Sequence, residues 1–259
     1  MQVVILAGGT GTRLREETEF RPKAMVPIGG KPIIFHIMKS FAHYGFDEFV
    51  IALGYRQGYF KEYFRHFHEI NNDVVVTTGR NRGMDYHDGL PSDDWKVTLS
   101  DTGLNTLKGG RLKRIQKYIE GDNFLLAYGD GLSDIDFKAL VKFHELHKRM
   151  ITVVGVHPPG RFGEIHRDGA RVLSFTEKPP TQSDSLLINA GFYVCNTKIF
   201  DYLTTDEWCD LERGPMELIA NKGEMAVYHH TGFWRPMDTL NDMMQLEILW
   251  EKGAPWKTW

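Results

Sequence analysis

Apolar residues in this chain fall into two spacings. Short unbroken runs at residues 3–7, 49–53 and 124–128, and a β-branched run at 151–156, have the length and apolar content of strands buried on both faces. Between the first two, Ile33, Ile34, Ile37, Met38 and Phe41 recur at helical spacing, which predicts a helix over 33–44 ended by Gly45. Tyr59, Phe60, Tyr63, Phe64 and Phe67 predict a helix over 59–67, followed by a third strand at 73–78. Strand and helix alternating in this way predict an α/β fold, a Rossmann-like doubly wound sheet flanked by helices. Ligands of such sheets sit beyond the carboxyl ends of the strands. Farther on, the pattern predicts a strand at 95–99, a helix opened by Gly109-Gly110, a helix at 138–148, a strand at 187–194 and a helix at 239–251. A small hairpin is expected at 163–176, turned by Asp168-Gly169. Residues 79–95 are polar and read as an irregular insertion.

The first run breaks at Gly8-Gly-Thr-Gly11. Three glycines in four residues allow a sharp turn and bring backbone N–H groups against a ligand that a Cβ would obstruct. A lone turn of this kind reads as a strand–helix connection with Arg13 and Lys23 solvated. The coupling of the turn to both Arg13 and Pro22-Lys23 favours a polyphosphate instead. The string G-x-x-x-x-G-K-[ST] of the P-loop is absent. The dinucleotide fingerprint also fails, because Leu14 stands where its third glycine packs helix on strand. In addition, the run at 49–53 continues into Gly54-Tyr-Arg rather than the expected acid.

Several other positions admit two readings. Asp130, between Gly129 and Gly131, is either a turn former or a metal ligand. Asp238, just before a helical pattern, is either its N-cap or a second ligand. One or two carboxylates plus phosphate oxygens are what hydrated Mg²⁺ requires. The basic run Arg111, Lys113, Arg114, Lys117 reads on its own as a solvated helix face. Glu177-Lys178 reads as an exposed pair at a strand end, and Asn189 as a strand-edge or bulge residue. His144 and His147 are three apart without the H-E-x-x-H order, so they are expected at the surface, as are His229 and His230.

The stretch Leu6-Ala-Gly-Gly-Thr-Gly-Thr-Arg-Leu14 followed by Pro22-Lys23 resembles the signature of the sugar-1-phosphate nucleotidylyltransferases. Gly129-Asp130, Glu177-Lys178-Pro179, Asn189-Ala-Gly191 and Pro236-Met-Asp238 extend the likeness over nearly the whole chain. Asp101-Thr-Gly103 with Gly109-Gly-Arg111, the stretch Gly232-Phe-Trp-Arg-Pro-Met-Asp-Thr239 and the ending Trp250-Glu-Lys-Gly-Ala-Pro-Trp-Lys-Thr-Trp259 narrow it to members that use CTP and glucose 1-phosphate. The resemblance implies one nucleotidyltransferase domain over 1–259, with a nucleotide-binding part near 1–135, a sugar-phosphate-binding part near 136–240 and a C-terminal helix and tail at 239–259. It implies nucleotide contacts from Leu6, Ala7, Gly8, Gly9, Thr10, Gly11, Thr12, Arg13 and Lys23, with Thr106 and Arg111 at the base. It assigns Mg²⁺ to Asp130 and Asp238, and the sugar phosphate to Gly129, Glu177, Lys178, Asn189 and Gly191. Arg13, Lys23, Asp130, Lys178 and Asp238 would carry the catalysis. Two departures point to cytidine over other pyrimidines: Arg15-Glu-Glu-Thr18 stands where many relatives place a proline before the Thr, and no Gln-containing base segment is found. Another pyrimidine nucleotide or sugar phosphate remains an alternative, as does a non-catalytic sugar-nucleotide-binding protein. Retention of the five charged residues disfavours the latter.

Net charge of −3 over 259 residues argues against a nucleic-acid partner. No apolar run approaches the ~18 residues of a membrane span. A chain that enters a strand at once leaves no room for a leader, and Cys195 and Cys209 lack metal spacing. A cytoplasmic protein is therefore expected. Trp250, Trp256 and Trp259 either fold back on the core or bury against another subunit; aromatic anchors favour interfaces, so a homo-oligomer is expected.

Overall fold

A computed structural model describes residues 1–80, 82–87, 94–158, 164–168, 170–176 and 186–259. Strand β1 (Val3–Leu6) is buried along its whole length. It opens into the glycine loop, a one-turn helix α1 (Arg15–Thr18) and the tight pair β2 (Pro27–Ile28) and β3 (Lys31–Pro32). Helix α2 (Ile33–His43) follows and stops before Gly45, whose φ of 85° is left-handed. The chain continues through β4 (Glu48–Leu53), α3 (Gly58–Arg65) and α4 (Phe67–Asn71) into β5 (Asp73–Thr77) and β6 (Gly83–His87). Next come β7 (Lys96–Asp101), α5 (Lys108–Arg114), β8 (Asn123–Tyr128), β9 (Gly131–Ser133), α6 (Phe137–His147) and β10 (Ile151–Val156). The last third holds β11 (Glu164–Asp168), β12 (Arg171–Thr176), β13 (Ile188–Asn196), α7 (Glu217–Asn221), β14 (Met225–His229), β15 (Trp234–Pro236) and α8 (Leu240–Glu251).

One seven-stranded sheet, in the order β14-β10-β13-β8-β1-β4-β7, runs through the protein. Strands β8, β1, β4 and β7 are parallel, whereas β13 lies antiparallel to both β8 and β10, so the sheet is mixed. With period two along β1, Val3 and Ile5 face one core layer while Val4 and Leu6 face the other. Ile34, Ile37 and Phe41 of α2 fill the first layer with Phe137 of α6 and Leu246 of α8; Phe41 stacks on Phe137 at 3.9 Å between ring centroids. Leu112 and Ile115, at the end of α5, fill the second layer with Phe200 and Leu211. Both layers make the central strands β1, β4 and β8 almost wholly apolar, which is why their runs are unbroken in the sequence, whereas β7 at the sheet edge alternates.

Three expectations change. Residues 73–77 form a strand, but it pairs antiparallel with β6 in a separate ribbon, and the third parallel strand is β7. Val74, Val75 and Val76 are exposed; β-branched composition favoured extended backbone there without specifying its partner. The span expected to be an irregular insertion therefore contributes β6. The tryptophan tail folds onto its own chain: Trp256 is fully buried, its ring centroid 5.7 Å from Phe233 and 6.0 Å from His36. The hairpin forms as β11 and β12; Glu177 and Lys178 lie outside the described residues. Among the described residues no helix is long and apolar enough to cross a membrane.

Candidate active site

The glycine loop leaves the carboxyl end of β1 between β4 and β8, where Tyr55 N donates to Gly8 O at 3.1 Å and Gly129 N to Leu6 O at 3.2 Å. Gly11 adopts φ 65°, and a Cβ there would come within 2.7 Å of the Thr18 side chain. The backbone turn thus requires glycine on two counts.

Strands β9 and β15 pair antiparallel as a three-residue ribbon, Gly131 opposite Pro236 and Ser133 opposite Trp234. Met237 N donates to Asp130 O at 2.8 Å, so the ribbon delivers Asp130 and Asp238 to the same end. The Lys23 ammonium donates to Asp130 at 2.6 Å and to Asp238 at 2.7 Å. Arg13 Nη1 donates to the other Asp238 oxygen at 2.8 Å. Two carboxylates from distant parts of the chain thus meet at one ammonium. Asp238 is not the N-cap of α8. Thr239 is, its hydroxyl accepting from Asp242 N while the Asp242 carboxylate accepts from Thr239 N.

These charges stand at one wall of a cleft of about 660 Å³ beyond the ends of β1 and β8, within the range of small-ligand sites. Its lining brings together Leu6, Ala7, Gly8, Gly9, Gly11, Thr106, Arg111, Gly129, Asn189 and Gly191 with the charged group. Thr10 and Thr12 belong to the same loop without lining the cleft. Arg111 is not solvated: it is 4% exposed. Its Nη1 donates to Leu53 O, Gly103 O and Thr102 Oγ1, and its Nη2 to Gly8 O and Leu104 O. It therefore ties the glycine loop to the ends of β4 and β7. Burial lowers its pKa, helped by neighbouring Arg114. Thr106 is also buried, and its hydroxyl accepts from Arg114 at 2.8 Å.

Around Asn189 and Gly191 the far wall holds Tyr128 and Lys108, backed by Tyr193 and Glu212, four residues that pattern reading missed. Asn189 Oδ1 accepts from Gly191 N at 2.8 Å and its amide donates to the Tyr193 hydroxyl. Tyr193 donates to Tyr128 at 2.9 Å, and Tyr128 to Glu212 at 2.5 Å, with Lys108 ion-paired to the same carboxylate. Burial raises the pKa of Tyr128, and Tyr193 and Glu212 add to it, so the phenol stays protonated. Gly191, at φ 80°, gives the Tyr128 ring room that a Cβ at 2.9 Å would deny. The interruption of an apolar strand by Asn189 and Gly191 was the one signal of this floor.

The histidines depart from expectation. His144 is buried, and both its Nδ1 and His147 Nε2 lie 2.8 Å from Thr152 Oγ1. His230 is held between Asp134 and Phe233 O, while His229 is exposed as expected. No group of three or more His, Cys, Asp or Glu among the described residues is arranged to hold a metal.

Residues 2–242 match the model of a family described as Nucleotidyl transferase. The chain is a nucleotidyl transferase. It is 46% identical to the glucose-1-phosphate cytidylyltransferase of Salmonella typhi over the full length of both proteins. It is 26% identical to the mannose-1-phosphate guanylyltransferase of Mycobacterium tuberculosis, over 95% of this transferase and 63% of that protein. Among solved structures, the inositol-1-phosphate CTP transferase of T. maritima superposes with a TM-score of 0.65 at 16% identity, covering 98% of this transferase and 97% of that chain. That likeness shows the shared mixed-sheet fold.

Proposed function

We propose that this nucleotidyl transferase moves the cytidylyl group of CTP to α-D-glucose 1-phosphate, giving CDP-glucose and pyrophosphate. The observation that carries the reading is the meeting of Arg13, Lys23, Asp130 and Asp238 at the mouth of a glycine-lined cleft. Full-length identity to a cytidylyltransferase supports the choice of substrates. A phosphate oxygen of the sugar phosphate attacks the α-phosphorus of CTP in line, a P–O bond forms, and the bond to the pyrophosphate oxygen breaks. Two polyanions must approach, so catalysis is charge neutralisation and positioning. Arg13, 70% exposed, meets the leaving pyrophosphate together with the N–H groups of residues 8–12. Lys23 binds phosphate near the reacting centre, and Lys178 steers the sugar phosphate. Arg111 and Thr106 line the base end, and Glu177, Asn189 and Gly191 receive the sugar.

Asp130 and Asp238 fit a hard divalent cation: two carboxylates already share one ammonium, and phosphate oxygens and water complete such a set. Mg²⁺ held there supplies neutralisation of the nucleotide phosphates. The nucleotide-binding part spans about 1–135 and the sugar part about 136–240. The protein works in the cytoplasm on small molecules, and its product is an activated sugar for surface polysaccharide of the lipopolysaccharide O-antigen kind. Homo-oligomerisation, with the tryptophan tail engaged internally, is supported instead by the exposed Val74, Val75, Val76, Met84 and Tyr86 of the β5–β6 ribbon.

Pyrophosphate release measured over CTP, UTP, dTTP, GTP and ATP, each with a panel of sugar 1-phosphates, tests the reading. Turnover is expected with CTP and glucose 1-phosphate; a preference for another pair replaces the substrates, and silence with every pair leaves a sugar-nucleotide-binding protein.

A further inference from the structure

The carboxylates of Asp130 and Asp238 owe their common position to the ribbon of β9 and β15, which has only three residue pairs. So short a ribbon does not hold its own register in water. Something must pin its other end, and two residues there do so. Asp134, one residue past β9, donates its backbone N–H to Phe233 O at 3.2 Å. Its carboxylate Oδ1 lies 2.9 Å from His230 Nε2. That oxygen is buried and receives no directed hydrogen bond, because the ring N–H points to Phe233 O at 3.2 Å. The two side chains meet in a confined place, and the His230 side chain is only 10% exposed.

His230 is itself fixed to the main sheet, its backbone N–H donating to Gly155 O on β10 at 2.9 Å. The packing leaves no slack. A Cβ on Gly232 would come within 2.4 Å of Asp134 Oδ1 and 2.8 Å of His230 Cε1. The path therefore runs from the edge of the sheet, through His230 and Asp134, along three residue pairs, to the two acids.

We infer that Asp134 and His230 are positioning residues that set the distance between the Asp130 and Asp238 carboxylates, and hence the affinity for the divalent cation. The inference rests on the proposed metal role of those two acids. It differs from a general stability role in what it moves: cation binding weakens while nucleotide recognition at the far end of the cleft stays. Neither residue lines the cleft.

The test is Mn²⁺ titration of the purified enzyme, followed by loss of the free-ion electron paramagnetic resonance signal, in wild type, D134N, H230Q, the D134N/H230Q double variant, G232A and D130N. Each clamp variant is expected to weaken Mn²⁺ binding about tenfold, the low end of what losing a supporting partner costs a metal site. The double variant should be no worse than either single one, since both break one contact. The KM for CTP at saturating metal should stay within about twofold. G232A reaches the same end by crowding the pair with both side chains retained, so it guards against misfolding in any one variant. D130N is expected to abolish the binding. If D130N binds Mn²⁺ like wild type, the metal reading fails; if D130N loses it while the clamp variants bind normally, the positioning role is overturned.

Discussion

Arg13 donates to Asp238 at 2.8 Å although its side chain is 70% exposed and Asp238 is only 15% exposed. An exposed ion pair of this kind contributes little to stability, so its place at the cleft mouth is a functional matter. In the proposed reaction the arginine would leave this carboxylate for phosphate.

Replacing Arg13 by Ala should lower turnover at least ~10²-fold, the scale for losing one oriented electrostatic contact, while the melting temperature stays near that of wild type. Pyrophosphate release and a thermal melt read the two quantities. Near-normal turnover, or a large loss of stability, would remove Arg13 from the reaction.

Asp238 and Thr239 are adjacent in sequence and do separate jobs. Thr239→Ala removes the cap of α8 and should cost about 1 kcal/mol of stability, with most activity retained. Asp238→Asn keeps the cap, since Thr239 and Asp242 form the capping box, and should abolish most turnover without a comparable drop in stability. Urea titration alongside initial rates distinguishes the two. Matching losses in both variants would mean that Asp238 serves the helix after all.

Arg111 bridges five acceptors on three segments from a buried position. Arg111→Met leaves the carbonyls of Gly103 and Leu104 without that donor, whereas Gly8 O keeps Tyr55 N and Leu53 O keeps Thr102. Each orphan costs about 1–3 kcal/mol, so a loss of at least ~2 kcal/mol in unfolding free energy is expected, together with a raised KM for nucleotide as the glycine loop slackens. Unfolding curves within ~1 kcal/mol of wild type would show that the ties are dispensable.

The parts legible in advance were those written in local chemistry. Apolar runs marked β1, β4 and β8 because both faces of the sheet are covered, and the glycine loop with Arg13 and Lys23 marked one end of the cleft. Asp130 and Asp238 could be paired only through the family resemblance, because the ribbon joining them has too few residues to leave a pattern. The cap of α8 was readable, since Thr239 and Asp242 fit the [ST]-x-x-[DE] signal, yet the acid one position earlier competed for it. Arg111 looked solvated because charge on a helix face usually is. The adjacent Gly109 and Gly110 carried the contrary sign: a Cβ at either would come within 2.8 Å of backbone at Cys209, Asp210 or Asp206, so α5 docks too closely to leave that face open. The destination of the 73–77 strand had no local signal at all, since Val-Val-Val favours any extended partner.

Acid should unfold this protein through its buried imidazoles. Burial lowers His36 to about 4, against hydrogen bonds to the backbone of Ile28 and Lys31 that raise it, and lowers His144 to about 4, with His147 adding to the effect. Both are therefore neutral in the fold at pH values where the unfolded chain already binds protons, below an ordinary value of 6.5. More protons on the unfolded state means that stability is full above about pH 6.5 and falls as the pH drops from there towards 4. For His36, 1% exposed and ringed by Trp250, Trp256 and Trp259, the loss by pH 4 is on the order of 3 kcal/mol. Urea unfolding at pH 7, 5.5 and 4.5, followed by tryptophan fluorescence, should show the midpoint falling with pH. His36→Gln keeps a donor for Ile28 O without a titrating ring, so its midpoint should fall less steeply over the same range. Equal slopes in the two proteins would mean that His36 is not a source of the acid sensitivity.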